Sequence, residues 1–345
     1  MAKNNYPKLH NAGWPGVVGK GGGGEPPIDL DTMLDLTAAA EVDGEGFYGM
    51  DLFLHAPHVD IDIDDDGLQQ LAEKFRSRRL VVGTVVAPVW KETGGRPAMD
   101  RSDGCNQFLV QVRKACRIAQ KLTELDIRPY GNVRIDSATS VADWAKDPDG
   151  NTERIAETFG EACFIAEECD QVLVAEAEAC WGGLHSYQET SKLLKLVNRP
   201  EVLGFQADMA HVLSLALGIN SPTGHRILPD GYDWEDKSVL DRALMQIAGE
   251  LRPLTKDIHI AQSDGTIHGS GTHDKTGRHC VPTDPDRKLD ITKHAGYWLD
   301  GAKSRGTEHI CWDGCMFSNK VMMDPKTWND VLGSMIAVRD AHGWD

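Results

Sequence analysis

One change of hydrophobic period recurs eight times along this 345-residue chain. Each time a short apolar run rich in β-branched residues gives way to a longer stretch with apolar residues at i, i+3, i+4 and i+7, the pattern of a strand followed by an amphipathic helix. In the first half the strands read KLHNAGW, GMDLFLHAP, LVVGTVVAPVW and IRPYGNVRIDS. Their helices read DLDTMLDLTAAAEV, DGLQQLAEKFRSR, NQFLVQVRKACRIAQKLTEL and TERIAETFGEACFIAEEC. In the second half the strands read QVLVAEAEA, VLGFQADMAHVL, DIHIAQSD and HICWDGCMF. They precede SYQETSKLLKLV, DKSVLDRALMQIAGELR, ITKHAGYWLDGAKS and PKTWNDVLGSMIAVRDAH. Parallel strands need crossover helices, and eight such units are the number that closes a barrel. The expected fold is therefore α/β, a (β/α)8 TIM barrel. An open doubly wound sheet is the structural alternative.

No Pro/Gly/Ser-rich linker divides the units, so residues 1–345 read as a single domain. Three long insertions, 91–105, 219–236 and 264–290, each follow a strand pattern, which makes them extended βα loops on the face where barrels build active sites. The net charge of −17 repels phosphate backbones and argues against nucleic acid as a partner. No apolar run reaches the roughly 18 residues of a membrane span. The first thirty residues lack the apolar core of a secretory signal, which points to the cytoplasm. None of the eight cysteines forms a C-x-x-C pair, and several sit inside apolar patterns, as buried free thiols do.

The last four strands end in polar residues. Strand five ends in Glu176 and Glu178, which point the same way; strand six ends in Asp208 and His211; strand seven carries His259 and strand eight Asp313. Each interrupts or closes a run that belongs in the barrel wall. A buried carboxylate is costly unless it is paired or bound to a cation, so the convergence asks for a metal ion; the competing reading is a set of salt bridges at strand ends. The apolar run of strand five ends at Glu176, which favours that glutamate over Glu178. A second signal is the segment SDGTIHGSGTHDKTGRHC, residues 263–280, which sets His268, His273, Lys275, Arg278 and His279 among four glycines. It should fold over the metal and hold hydroxyls, a carboxylate or a phosphate of a substrate. Arg134 and Trp181 are further candidates near the ends of strands four and five.

Glutamate, then Asp-x-x-His, then His, then an acid on successive late strands resembles the xylose isomerase-like superfamily, which includes sugar isomerases, ketose 3-epimerases, inosose dehydratases and endonuclease IV-type repair enzymes. The residues that carry the resemblance are Glu176, Asp208, His211, His259 and Asp313. It implies Glu176, Asp208, His259 and Asp313 as ligands of one divalent metal ion. It places His211 beside them for the substrate, to which the 263–280 segment adds Lys275, His279, His273 and Arg278 and the strand ends add Glu178 and Arg134 as candidates. Mostly oxygen donors with one imidazole suit Mn2+ first, with Mg2+, Co2+ or Zn2+ also served. Two positions depart from the family pattern: Asp313 stands where Glu is usual, and Glu178 where His or Asn is usual.

The implied chemistry lies beside a carbonyl. Glu176 and Asp313 would share proton transfers to either side of an enediolate, giving a sugar isomerase or epimerase that acts on a small sugar or sugar derivative. The alternative is a metal-dependent lyase or dehydratase working by β-elimination on an oxidised sugar or glycoside, and a non-catalytic sugar-binding protein is a third reading. Barrels of this group often associate, so the resemblance also allows a homo-oligomer.

Three other motifs are read as structural. Asp62, Asp64, Asp66 and Glu73 match the spacing of an EF-hand loop, but a strand pattern precedes them, and the acids are expected to cap the helix LQQLAEKF. The glycine run at 18–24 lacks the Ser/Thr of a phosphate loop. His55 and His58 are expected at the rim or in the core.

Overall fold

The computed structural model describes residues 6–13, 25–100, 106–221, 225–269 and 275–343. Strands β1 (Lys8–Gly13), β2 (Gly49–Phe53), β3 (Val81–Val86), β4 (Val133–Ile135), β5 (Leu173–Glu176), β6 (Leu203–Asp208), β7 (Thr255–Ile260) and β10 (His309–Trp312) form a closed barrel in the order β1-β10-β7-β6-β5-β4-β3-β2. Every pairing around the barrel is parallel. The strands are almost wholly buried, as expected where helices cover the outside and side chains fill the axis.

The covering helices begin where short polar side chains can accept from free backbone N–H groups. Asp64 caps α2 (Asp65–Ser77), accepting from Gly67 N at 2.8 Å. Asn106 caps α3 (Gln107–Glu124), and Ser186 caps α6 (Tyr187–Val197). α5 (Pro148–Glu168) and α11 (Pro325–Ala341) each start with proline at a position where no intrahelical N–H is required. α1 (Leu30–Ala39), α8 (Lys237–Leu251) and α9 (Ile291–Leu299) complete the outer layer beside the short helices α4 (Val141–Trp144), α7 (Met209–Ala216) and α10 (Asn319–Met322). No helix among the described residues is long and apolar enough to cross a membrane.

Several strands are shorter than the sequence reading, and two of the differences bear on the site. Strand four begins only at Val133, because Pro129 lacks an N–H and Gly131 takes a φ of 109°, which turns the chain before the strand. Strand six ends at Asp208 and does not extend to His211. The Asp208 carboxylate accepts from Ala210 N and His211 N at 2.8 and 2.9 Å and starts α7 at once, so His211 lies in the first helical turn. The insertion at 264–290 contains a small antiparallel pair, β8 (Ile267–His268) with β9 (Thr276–Gly277). The insertion at 219–236 separates α7 from α8.

The acids at 62–66 serve the helix. Besides the Asp64 cap, Asp62 pairs with Lys114 at 2.5 Å and Asp65 with Arg117 at 2.8 Å. His58 is buried, with its ring nitrogens 3.1 Å from Gly13 O and 2.6 Å from Ile28 O, while His55 is only partly buried. The cysteines at 116, 163, 169, 180, 280, 311 and 315 are free and buried; Cys105 and the glycine run at 18–24 lie outside the described residues.

Candidate metal centre

Strand register brings the late polar residues to one level. Asp208 on β6 is paired directly with His259 on β7, and Glu176 ends β5 on the other side of β6. Asp313 follows β10 and is held by two backbone bonds: its N–H donates to Ile260 O at 3.0 Å, and its Oδ1 accepts from Cys315 N at 2.8 Å. Glu176, Asp208, His259 and Asp313 each offer a ligand atom within 4.8 Å of the others, and all four are buried. Two of these residues carry unsatisfied buried atoms, Glu176 Oε1 and His259 Nδ1. Leaving such atoms without partners costs roughly 1–3 kcal/mol each. A divalent cation among three carboxylates and an imidazole would satisfy both, so the donor set fits the metal expected from the sequence.

Arg134 organises the two glutamates. Its Nη2 contacts Glu176 Oε2 and lies 2.8 Å from Glu178 Oε1, and its guanidinium sits 5.9 Å from the Trp90 ring centroid. Glu178 is occupied on both oxygens. Trp181 Nε1 lies 3.3 Å from Oε1, while the Thr276 hydroxyl donates to Oε2 at 2.8 Å and the Cys180 thiol lies 3.7 Å from it. Glu176 keeps a vacant oxygen and Glu178 does not, which favours Glu176 as the ligand.

The charges are tuned apart. Burial pushes the Glu176 carboxyl well above its usual range, and the opposing pull of Arg134 does not cancel this. Burial raises Asp313 and Asp208 too, but His279 and His259 hold Asp313 below the usual carboxylate range, and His279 and His211 do the same for Asp208. Burial also lowers His211 against the raising effect of Glu178.

His279 Nε2 lies 3.2 Å from Asp208 Oδ1, and its Nδ1 is 3.1 Å from Gly277 O. His279 falls into two further groups of the same compactness, one with Asp208 and His211 and one with Asp313 and Cys315. His211 Nε2 is 3.8 Å from Glu178 and 4.0 Å from Glu176. Lys275 is exposed and lines a cavity of about 440 Å³ together with Cys180, Trp181 and Asn220. Arg278 turns away from the cluster: it contacts Asp264 and remains 44% exposed. His268 is partly exposed on β8, and His273 lies outside the described residues.

Several polar residues in the barrel are not singled out by the sequence reading. Asp51, His10 and His309 form a buried group on β2, β1 and β10, and Gln206 and Asp257 lie beside His259. Asp136 accepts from Trp90 Nε1 at 2.7 Å, and burial raises its carboxyl to about 7 despite nearby Arg134. The available signal was a lone acid inside an apolar strand, as in GMDLF for Asp51.

A closed parallel eight-stranded barrel with a buried carboxylate–imidazole cluster at the carboxyl ends of its late strands defines a class of protein. The family model described as "Xylose isomerase-like TIM barrel" matches residues 37–295, and the chain belongs to that family. None of the curated proteins matches the sequence. Among solved structures, D-psicose 3-epimerase is similar at a TM-score of 0.60 with 11% identity, over 96% of this chain and 99% of the other. The IOLI protein with a bound zinc atom is similar at 0.58 with 14% identity, over 98% and 100%. The 3-keto-D-glucoside 4-epimerase YcjR from E. coli is similar at 0.54 with 11% identity, over 96% and 99%. At such identities the likeness concerns the fold.

Proposed function

We propose that the protein is a divalent-metal-dependent sugar isomerase or epimerase, with Glu176, Asp208, His259 and Asp313 as the ligands. The observation that carries the reading is the pair of unsatisfied buried atoms, Glu176 Oε1 and His259 Nδ1, inside that quartet. The names of the structural neighbours, two sugar epimerases and a zinc-holding protein, support the same class. Mn2+ is the proposed metal, and Zn2+, Mg2+ and Co2+ suit the same donors. When bound, the ion supplies Lewis-acid polarisation of a carbonyl and its neighbouring hydroxyl.

The chain's own groups then handle protons. Glu176 and Asp313 come from opposite sides of the quartet, β5 and the end of β10, so they can face a substrate carbon from two directions. Reaching the cluster from its two ends, they are placed for one to take a proton on one side of the substrate and the other to return it. Return of the proton to the same carbon gives an epimer; return to the next carbon gives an isomer. His211 and His279 border the cluster and would hold substrate hydroxyls, with Lys275 reaching the substrate's outer part from the cavity wall. Arg134 neutralises the glutamate pair, Glu178 seats the loop that carries Thr276, and His273 and Arg278 belong to that same loop. We read residues 1–345 as one domain acting on a small sugar in the cytoplasm, as a monomer or homo-oligomer, without nucleic acid.

The cavity beside Trp181 and Lys275 supports a second reading, a lyase or dehydratase that expels a substituent of a larger keto sugar or glycoside. Turnover of a panel of keto sugars in heavy water tests both. A product of unchanged composition apart from deuterium beside the carbonyl is expected, and chelation of the metal should abolish its formation. A product lighter by water or by an aglycone transfers the assignment to the second reading. Turnover without deuterium removes the proton-transfer mechanism.

A further inference from the structure

The start of α6 gathers buried polar atoms that the proposed chemistry does not use. Ser186 caps this helix, its hydroxyl accepting from Glu189 N at 3.2 Å. His185 therefore stands just before the cap and Glu189 in the first turn, four positions later. A residue before a cap packs against that turn, and the place commonly belongs to an apolar side chain. Here it belongs to an imidazole that is 0% exposed and stands edge-on to Trp144 at 4.6 Å. Neither ring nitrogen of His185 has a hydrogen-bond partner among the described residues, and neither does the buried Oε2 of Glu189. Each atom left in that state costs roughly 1–3 kcal/mol.

A second imidazole reaches the same place from the 219–236 insertion. Asn220 Nδ2 donates to Ala179 O at 3.0 Å, which brings the insertion across the loop after β5. His225 then places its Nε2 3.9 Å from Glu189 Oε1. That separation is too long for a hydrogen bond, but it suits two donors sharing an ion about 2.0–2.2 Å from each. Burial and the nearby His225 lower the His185 pKa to about 4, against a raising effect of the Trp181 carbonyl, which already accepts from Leu184 N at 3.0 Å. His185 is thus neutral near pH 7, with a lone pair to offer.

We infer that His185, Glu189 and His225 bind a Zn2+ ion that fastens the 219–236 insertion to the start of α6, a metal site built from residues outside the quartet. Two neutral imidazoles and a carboxylate, with a water in the fourth position, make a tetrahedral zinc donor set. Affinity for such nitrogen-rich ligands rises from Mn2+ to Zn2+, so Mn2+ is drawn to the oxygen-rich quartet and Zn2+ serves this site. The ion would give a partner to one His185 nitrogen and to the Glu189 carboxylate. It would also hold one wall of the 440 Å³ cavity, because Asn220 lines that cavity together with Trp181 and Lys275.

This zinc site stands or falls apart from the quartet. Tag-free, metal-free wild type, His225→Ala, Glu189→Gln and Asp208→Asn are titrated with Zn2+ against a chromogenic chelator. Wild type should bind two equivalents, and each single variant one. The double variant Asp208→Asn/His225→Ala should bind none. Zn2+ should also slow tryptic cleavage after Arg226 in wild type and Asp208→Asn, and not in His225→Ala. One equivalent in the wild type, kept by His225→Ala and lost in Asp208→Asn, overturns the site and leaves the quartet. One equivalent lost in His225→Ala and kept in Asp208→Asn upholds the site and removes the quartet. Two equivalents that persist in both His225→Ala and Glu189→Gln are adventitious binding elsewhere and overturn the site. Should these replacements unfold the chain, 1H–15N spectra of histidine-labelled wild type decide. Zn2+ should shift one ring nitrogen of His185 and one of His225, and unmoved signals from these two rings overturn the site.

Discussion

Thr276 donates its hydroxyl proton to Glu178 at 2.8 Å, a bond across 98 positions of sequence that fastens the long loop after β7 to the mouth of β5. Glu178 is thereby a structural partner of the loop and of Arg134, whereas Glu176, two residues earlier on the chain, keeps an open oxygen. Glu178→Gln should accordingly keep its metal and lose about 1.5–3 kcal/mol of stability, the usual worth of hydrogen bonds to a charged group. Metal content by mass spectrometry and urea unfolding check the two halves. Loss of the metal would make Glu178 the ligand.

The acids at 62–66 give a second test. Asp64 caps α2, so Asp64→Ala should cost about 1 kcal/mol. Millimolar calcium should leave the melting temperature of metal-saturated wild type unchanged. A calcium-dependent rise that disappears in Asp64→Ala would instead mark a calcium loop.

Asp136, which is linked to Glu176 only through Arg134, gives a pH test. Burial raises its folded carboxyl to about 7 from the usual 3.8, so ionising it is disfavoured in the folded chain. A raised acid is a liability fully present above the folded value and removed as pH falls toward the unfolded one. Wild type therefore loses stability through this group as pH rises from about 4 to about 7, and Asp136→Asn does not. The melting temperature of the variant minus that of wild type should become more positive over this interval. A constant or falling difference contradicts the assignment.

The glycines beside His10 make a packing test. Gly49→Ala would set a methyl group 2.5 Å from the His10 ring, and overpacking of this kind costs roughly 1–3 kcal/mol. Denaturant unfolding reads it directly, and a neutral result would mean that the ring has room to move.

The barrel was legible in the sequence because the eight changes of period are long and end in clear caps, such as Asp64 and Ser186. The ligand candidates were legible because each interrupts a run that belongs in the wall. Less was legible where a polar residue looks ordinary in one dimension. Asp51 within GMDLF resembles an outward-facing strand residue, and only the closed barrel brings it to His10 and His309. The pairing of Arg278 with Asp264, fourteen positions earlier, has no signature in the sequence. The turn from β6 into α7 was hidden because Asp208 serves both as the last residue of the strand and as the cap of the helix.

That double use of Asp208 also decides the most direct test of the account. Asn caps a helix about as well as Asp, so Asp208→Asn removes the charge while keeping the start of α7. Metal-free wild type and Asp208→Asn are titrated with Mn2+ by calorimetry. The account predicts one equivalent bound by the wild type and none, or far weaker binding, by a variant that remains folded. Equal stoichiometry and affinity in the two proteins would contradict the metal centre on which the proposed function stands.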